Sequence, residues 1–315
     1  MSIPSDPRRW RVGLVGYGEV GRILAEDLRE CGLVVAAYDL KLGTAADAPL
    51  GRHAAQHHVS LASSHAELAS QADFIVSAVT ASQTVAVATA CAPAVRPDAF
   101  FLDFNSASPG AKIAAADCVG AGGGRYVEAA VMTAIAPYRL RVPLLLGGPW
   151  AATIQPLLVA LGFDAAVASD KLGVASATKM CRSVIVKGLE AMVIESFTVA
   201  RAYGVEDQLL ASLAETFPGI EWEQQGGYFF RRAILHGRRR AEEMREAAET
   251  VREAGLEPWS AAGTAERQAW MAAMADAGVF AGGDATDVGW RQQADRMLGA
   301  VRAAMKAPLK DRVRD

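Results

Sequence analysis

Short apolar runs alternate with helical stretches through the first half of the chain. The runs predicted as strands cover residues 11–18, 33–40, 73–80, 99–105, 125–132 and 143–148. Helical segments stand between them, beginning with residues 19–31. Continuous β-branched runs separated by helices are typical of βαβ units, so we expect a parallel sheet buried on both faces.

The second half carries almost no strand signal. From Lys171 onward the runs are long and rich in Ala, Leu, Met, Glu and Arg, which are good helix formers. We therefore expect an all-helical domain, joined to the α/β domain by one long helix that starts near Leu172. The predicted division is an α/β domain over 1–168 and an all-helical domain over 169–315.

Composition narrows the class of protein. The 315 residues are 51% hydrophobic and 21% charged, which suits about two globular domains. A net charge of -3 gives no reason to expect a nucleic acid or an anionic membrane as partner. The four scattered cysteines predict neither a disulfide framework nor a metal site, and we expect none. With no apolar run typical of a signal peptide or a membrane span, we expect a cytoplasmic protein.

A glycine motif follows the first predicted strand. It reads Gly16, Tyr17, Gly18, Glu19, Val20, Gly21 and matches GxGxxG between a strand and a helix. Such a turn brings the backbone and a helix N-terminus to a pyrophosphate, so these six residues are predicted to bind a dinucleotide. The alternatives are a glycine turn that binds nothing and a protein-kinase loop, and the kinase partner motifs are missing.

The cofactor follows from Asp39, 18 positions after Gly21 at the end of the second strand. A carboxylate there accepts the ribose hydroxyls of NAD and repels the 2′-phosphate of NADP. We therefore expect NAD, with NADP kept open because Lys41 lies close by. Val79 and Thr80, at the end of the strand over 73–80, are also assigned to the cofactor.

The long helix carries a polar stripe on an otherwise apolar surface. At 3.6 residues per turn, one side of it holds Lys179, Arg182, Ser183, Lys187 and Glu190. A helix that is apolar on its remaining sides is expected to be buried. Buried basic groups need a partner, so the stripe either faces a pocket for an anion or forms a structural ion pair with Glu190.

Three features together resemble the β-hydroxyacid dehydrogenase superfamily, which includes 3-hydroxyisobutyrate and 6-phosphogluconate dehydrogenases. They are the glycine motif, the loop Asp-Phe-Asn-Ser-Ala-Ser-Pro over 103–109, and Lys179 on the long helix. The chain looks most like a bacterial branch with a divergent C-terminal domain. The resemblance implies that Lys179 is the general acid/base and that Asn105 and Ser106 orient the reacting groups beside the nicotinamide. It also implies that residues 1–168 form an NAD(P)-binding Rossmann domain, that residues 169–315 form a helical substrate and dimerisation domain, and that the protein is a homodimer.

Two motifs depart from the family pattern. Arg182 stands where the family has the Asn that assists the lysine, and residues 128–134 lack the Ser-Gly-Gly that binds the substrate carboxylate. A guanidinium forms a bidentate fork with a carboxylate. We therefore expect Arg182, with Ser183 and Thr133, to bind the carboxylate of an anionic substrate, and His236 to bind substrate or relay protons.

The predicted function is NAD(P)-dependent oxidation of the hydroxyl of a small hydroxy acid or sugar acid, a CH–OH dehydrogenase reaction. One alternative keeps the fold and changes the reaction to decarboxylating or isomerising oxidation, or to imine reduction. A second alternative is a sensor that binds the dinucleotide and does not turn over. The altered substrate motifs motivate that alternative.

Overall fold

The structure is a computed structural model that describes residues 3–44, 47–281 and 289–306. The chain divides into two compact units, Met1–Cys181 and Arg182–Asp315. The division falls within one long helix, whereas the boundary predicted after residue 168 lies in the last strand of the sheet.

An eight-stranded sheet forms the centre of the first unit. Its strands are β1 (Arg11–Val15), β2 (Val34–Tyr38), β3 (Ser60–Leu61), β4 (Phe74–Ser77), β5 (Phe100–Asp103), β6 (Arg125–Val131), β7 (Leu144–Gly147) and β8 (Ala165–Ser169). Their order across the sheet is β3-β2-β1-β4-β5-β6-β7-β8. The six predicted strands are present. The pattern missed β3 and β8 because β3 has two residues and β8 is largely exposed, so neither carries a buried apolar run.

Helices connect these strands. They are α1 (Glu19–Glu30), α2 (Asp47–Gln56), α3 (His65–Gln71), α4 (Thr84–Cys91), α5 (Pro109–Ala121) and α6 (Ala151–Ala160). Several begin at residues suited to helix starts. Ser64 caps α3 by accepting from the Glu67 amide, and Ser108 caps α5 by accepting from the Ala111 amide, with Pro109 at the first helical position.

Strand direction departs from the prediction at one pair. Each pair of neighbouring strands among β1 to β6 is parallel, and so is the pair β7 and β8. The pair β6 and β7 is antiparallel, with Glu128 opposite Gly147. The segment between them forms only a 3-10 turn at Arg139–Arg141. A parallel return needs a crossover connection, usually a helix, so this connection favours the antiparallel pairing.

The sheet is buried on both faces, as predicted. Along β4, Phe74 and Val76 belong to one apolar cluster, while Ile75 belongs to the other. β5 repeats the alternation, with Leu102 on one face and Phe101 on the other. Because successive strand side chains point to opposite faces, an unbroken apolar run supplies both clusters.

The second unit is helical. It contains the later part of α7 (Val174–Tyr203), then α8 (Glu206–Thr216), α9 (Trp222–Glu253), α10 (Trp259–Asp276) and α11 (Trp290–Lys306). Its apolar centre includes Phe197, Phe230, Met271 and Trp290. The predicted class, a Rossmann-type α/β domain followed by an all-helical region, is confirmed. Among the described residues no helix has the length and apolar character that crossing a membrane requires.

Two members of the polar stripe of α7 pair within the helical unit. Lys187 Nζ lies 2.7 Å from Glu243 Oε2, and Glu190 pairs with Arg240, so two ion pairs to α9 stand in place of the lysine–Glu190 pair that was one of the two alternatives. Burial lowers the pKa of Lys187, although Glu243 opposes the shift. The expectation that α7 is buried all round is wrong, because Ile185 is 71% exposed.

Candidate active site

The glycine loop joins β1 to α1 in a conformation that needs two of its glycines. Gly16 has φ +90°, and a Cβ there would lie 2.4 Å from the Ala78 carbonyl oxygen. A Cβ on Gly21 would lie 2.0 Å from the Gly16 carbonyl oxygen. Gly18 differs, because a Cβ added to it would meet nothing within 4 Å. Gly16 and Gly21 are therefore required by packing, whereas Gly18 keeps open the space in front of α1.

The loop is tied to the end of β2. The Tyr17 amide donates to Asp39 Oδ2 at 2.8 Å, and the Lys41 amide donates to Asp39 Oδ1 at 2.9 Å. The Tyr17 side chain is fully buried, so only its backbone lies along the loop. Asp39 is partly exposed beside the glycine loop, with its carboxylate oriented by two backbone donors.

Asn105 bridges two neighbouring strands at this edge of the sheet. Its side-chain Oδ1 accepts from the Val79 amide at 2.8 Å, and its Nδ2 donates to Ser77 Oγ at 3.0 Å. Both partners lie at the end of β4, while Asn105 follows β5. Because these strands are parallel, their carboxyl ends meet at one edge, next to the glycine loop. Asn105 is buried and holds this edge together.

Lys179 contacts Ser106, the residue that follows Asn105 in the 103–109 loop. Its Nζ lies 2.5 Å from Ser106 Oγ, although the two residues are 73 positions apart. Both side chains are partly buried. A lysine amine paired with a hydroxyl at the carboxyl edge of the sheet is an arrangement suited to proton transfer.

Glu128 holds the beginning of the helix that carries Lys179. This fully buried carboxylate accepts from the Ala175 amide at 3.0 Å and from Ser176 Oγ at 2.9 Å. The negative charge lies at a helix N-terminus, where it is favourable. Gly173, with φ +88°, precedes this turn, and a Cβ on it would lie 3.2 Å from Pro109 Cβ. The start of α7 therefore packs directly against the start of α5.

A buried ion pair lies beneath the 103–109 loop, and the sequence analysis missed it. Lys112 Nζ lies 2.9 Å from Asp103 Oδ1 and donates to the Asp103 carbonyl at 3.0 Å. Tyr126 Oη donates to Asp103 Oδ2 at 2.6 Å. Burial and the Asp103 charge raise the pKa of Tyr126 well above its ordinary value. The available signal was a lysine among the small and apolar residues in the first half of α5.

The remaining predicted residues lie at several positions. In the first unit, Glu19 and Val20 form the first turn of α1, Thr80 follows β4, and Thr133 is exposed after β6. In the second unit, Arg182 is exposed on α7, Ser183 is buried and accepts from Lys187 Nζ at 3.3 Å, and His236 lies on α9. Their predicted roles toward cofactor and substrate stay predictions.

The loop geometry fits a dinucleotide. The space in front of Gly18 is clear, and the first turn of α1 begins without a side-chain cap, so its amides remain available to phosphate. Asp39 follows the neighbouring strand, where a ribose hydroxyl would be accepted. Both features lie where the strand order reverses, between β1 and β4.

Comparison with protein families agrees with this geometry. Residues 11–162 match the NAD binding domain of 6-phosphogluconate dehydrogenase, and residues 200–271 match DUF1932, a domain of unknown function. The first match supports a nicotinamide dinucleotide as the cofactor.

Related proteins cover most of the chain. A conserved hypothetical protein from Sinorhizobium meliloti 1021 is 35% identical, with a TM-score of 0.73, over 91% of this chain and 95% of its own. An uncharacterized 28.5 kDa protein from Methanothermus fervidus is 28% identical over 255 residues, 79% of this chain and 93% of its own. The fold is also that of Mycobacterium tuberculosis 3-hydroxyisobutyrate dehydrogenase, at 17% identity and a TM-score of 0.68, over 92% of this chain and 99% of that protein. The chain therefore belongs to the same family as the Sinorhizobium meliloti protein, and it combines a 6-phosphogluconate dehydrogenase-type NAD binding domain with a helical DUF1932 region on the fold of 3-hydroxyisobutyrate dehydrogenase.

Proposed function

We propose that this protein is an NAD-dependent dehydrogenase that oxidises the hydroxyl of a small carboxylate-bearing substrate, with Lys179 as general acid/base. The contact between Lys179 Nζ and Ser106 Oγ, at 2.5 Å, carries the proposal. This contact places the Lys179 amine against the 103–109 loop, at the carboxyl edge of the sheet where the dinucleotide is proposed to bind. Substrate oxidation requires a base within hydrogen-bond reach of the hydroxyl proton.

In the proposed reaction the substrate loses a proton and a hydride, and Lys179 accepts the proton. In oxidation the substrate O–H bond breaks and its proton passes to the neutral amine of Lys179. The C–H bond breaks with its electron pair, and a bound nicotinamide supplies the acceptor for that hydride. In reduction Lys179 returns the proton to the forming alkoxide. Ser106 and Asn105 orient the reacting groups. Correct orientation contributes much of the rate enhancement of an enzyme.

Substrate class follows from the groups near Lys179 in the sequence. Arg182 comes one helical turn after Lys179, and its fixed charge and fork geometry suit a carboxylate. Ser183, Thr133 and His236 are proposed to complete the contacts with an anionic hydroxy acid or sugar acid. The cofactor is proposed to be NAD because Asp39 carries negative charge where NADP has its 2′-phosphate.

The test is a screen of the full chain with NAD or NADP and a panel of hydroxy acids and sugar acids, following absorbance of the reduced nicotinamide. Lys179→Ala should keep NADH binding, measured by fluorescence, and lose about 10²- to 10⁴-fold in kcat. Lys171→Ala removes an exposed lysine just before α7 and is the matched control.

Two outcomes would contradict the proposal. Equal turnover by wild type and Lys179→Ala would remove Lys179 from the mechanism. NADH binding without turnover on any substrate of the panel would favour the sensor. Mass analysis of the product distinguishes simple oxidation from decarboxylation, isomerisation or imine reduction.

A further inference from the structure

Three side chains with metal-ligating atoms meet on the first unit, outside the candidate active site. Glu26 lies on α1, His53 on α2, and His57 in the turn after α2, and one ligand atom from each lies within 4.8 Å of the others. We name them the Glu26–His53–His57 cluster. His53 Nε2 lies 2.9 Å from Glu26 Oε1, and the two imidazole rings are stacked with centroids 4.4 Å apart.

The fold explains why the three side chains converge. His53 and His57 are four positions apart, and the His57 amide donates to the His53 carbonyl at 3.0 Å, which continues the helical turn. Residues i and i+4 share one face of a helix, so both rings project to the same side. α1 supplies Glu26 opposite them. All three side chains are partly buried, which limits the rotamer entropy that binding would cost.

The spacing suits a small tetrahedral cation. Zn²⁺ binds imidazole nitrogen and carboxylate oxygen at about 2.0–2.2 Å, so adjacent ligand atoms in a tetrahedron lie about 3.3 Å apart. The separation of His53 Nε2 and Glu26 Oε1, at 2.9 Å, needs to open by only a few tenths of an ångström. Two imidazoles and one carboxylate form a known zinc ligand set, with a water as the fourth ligand.

Neighbouring residues orient two of these ligands. Tyr17 Oη lies 2.8 Å from His53 Nδ1, and Arg139 donates to Glu26 Oε2 at 2.6 Å. A metal-binding histidine generally donates its second ring N–H to an oxygen acceptor. With metal on Nε2, the His53 proton resides on Nδ1 and Tyr17 Oη accepts it.

We propose that Glu26, His53 and His57 form a binding site for a divalent transition-metal cation of the Zn²⁺ class. The site is separate from the proposed chemistry at Lys179. It braces the glycine loop, because Tyr17 contacts His53 through its side chain and Asp39 through its amide. A cation that binds the folded chain and not the unfolded chain stabilises this region.

The primary test is calorimetric titration of the EDTA-treated, full-length protein with ZnCl₂ alone. One equivalent should bind, and His57→Ala should weaken the affinity at least about tenfold. His58→Asn is the matched control, because His58 is the exposed neighbour at φ +53° and asparagine tolerates that conformation. Its affinity should equal that of the wild type. Tyr17→Phe removes the acceptor for His53 and should weaken Zn²⁺ about 10-fold.

A second measurement needs no substitution. Co²⁺ added to the wild-type chain should give visible bands of a tetrahedral nitrogen–oxygen site without a thiolate charge-transfer band. The exposed thiols of Cys31 and Cys181 are the competing ligands. The proposal is overturned by a thiolate band, by no Zn²⁺ binding to the wild type, or by equal affinity in wild type and His57→Ala.

Discussion

Individual buried charges hold the proposed catalytic lysine and its partner loop in position. Asp103 and Lys112 are each 1% exposed, and their pairing anchors the loop that carries Ser106. Glu128 is fully buried and fastens the first turn of α7, one turn before Lys179. Breaking a buried charged contact is costly because its partners are left without compensation. These residues position the site without touching the reacting atoms.

Replacing Glu128 tests this positioning role. Glu128→Ala leaves the Ala175 amide without its side-chain acceptor and the Ser176 hydroxyl with only the Gly173 carbonyl, and should lower the free energy of unfolding by about 3 kcal/mol. Glu128→Gln keeps an acceptor and should cost about 1 kcal/mol. Urea denaturation measures both. Equal stability of Glu128→Ala and wild type would remove Glu128 as the anchor of α7.

The Asp39 carboxylate should control which dinucleotide binds. Asp39→Asn keeps one of the two side-chain oxygens that accept from the Tyr17 and Lys41 amides, and it removes the charge that repels a 2′-phosphate. The ratio of the NADPH to the NADH dissociation constant should fall about tenfold, as measured by fluorescence titration. Asp47→Asn, whose carboxylate accepts from the Gly43 amide, is the control and should leave the ratio unchanged. An unchanged ratio in Asp39→Asn would contradict the assignment.

At the scale of elements, a single residue, Asp73, connects three strands at the amino end of the sheet through its carboxylate and its backbone carbonyl. Asp73, just before β4, accepts from the backbone and side chain of Arg11 on β1, with Arg11 Nε at 3.1 Å. It also pairs with Arg96, and its carbonyl accepts from the Phe100 amide of β5. Burial alone would raise the pKa of Asp73, but the contacts with Arg11 and Arg96 hold the pKa below its ordinary value.

The depressed pKa of Asp73 predicts acid sensitivity. A folded-state pKa below the unfolded value of about 3.9 means that the stabilisation is present above that pH and is lost as pH falls through the folded pKa. Asp73→Asn should be less stable than wild type by about 2 kcal/mol at pH 7. The difference in the free energy of unfolding between Asp73→Asn and the wild type should become smaller below about pH 4. A difference that does not change with pH would refute this linkage.

Asp98→Asn provides the control for that experiment. Its side chain is 62% exposed and pairs with Arg125 at the surface. Exposed ion pairs contribute little, so the substitution should change the free energy of unfolding by less than about 0.5 kcal/mol at pH 7. Asparagine also tolerates the left-handed backbone of Asp98, which has φ +65°.

At the scale of the whole molecule, the helical unit carries an apolar groove of about 900 Å³ along α7, α8 and α10. Ile185, Met192 and Val199 recur at seven-residue spacing on α7 and are 71%, 63% and 51% exposed, and Trp259 at the start of α10 is 81% exposed. An apolar stripe along one helix can pack against the same stripe of a second copy. Two copies related by a two-fold axis would then each cover the stripe of the other.

We predict that a second copy of this chain covers the groove. Light scattering after size exclusion should report a dimer for the wild type and a monomer for the double variant Ile185→Glu, Met192→Glu, since two buried charges per copy oppose association. Leu256→Glu alters a residue that is 66% exposed outside the groove lining and should stay dimeric. A monomeric wild type would overturn the prediction.

The linear pattern was sufficient for features that depend on neighbours along the chain. Strand and helix periods, the glycine loop and its spacing to Asp39 are local, and they led to the Rossmann sheet, the helical second half and a nicotinamide dinucleotide. Contacts between distant positions had no such signal. Three contacts show this: the antiparallel pairing of β7 with β6, the bond of Glu128 to the start of α7, and the ion pair of Lys187 with Glu243. Each is between segments that are distant along the chain and meet only on folding.

The clearest contrast lies between two pairs of side chains. Lys179 was recognisable because its place on the long helix resembles that of the superfamily's general acid/base, yet its contact with Ser106 spans 73 positions and exists only in the folded chain. His53 and His57 had no motif, and no metal site was expected, because their third partner, Glu26, lies 27 positions before His53 on another helix. Sequence alone therefore determined the class of fold and cofactor, through short-range periodicity. Tertiary structure decided which charged groups meet, because burial and pairing depend on packing between elements.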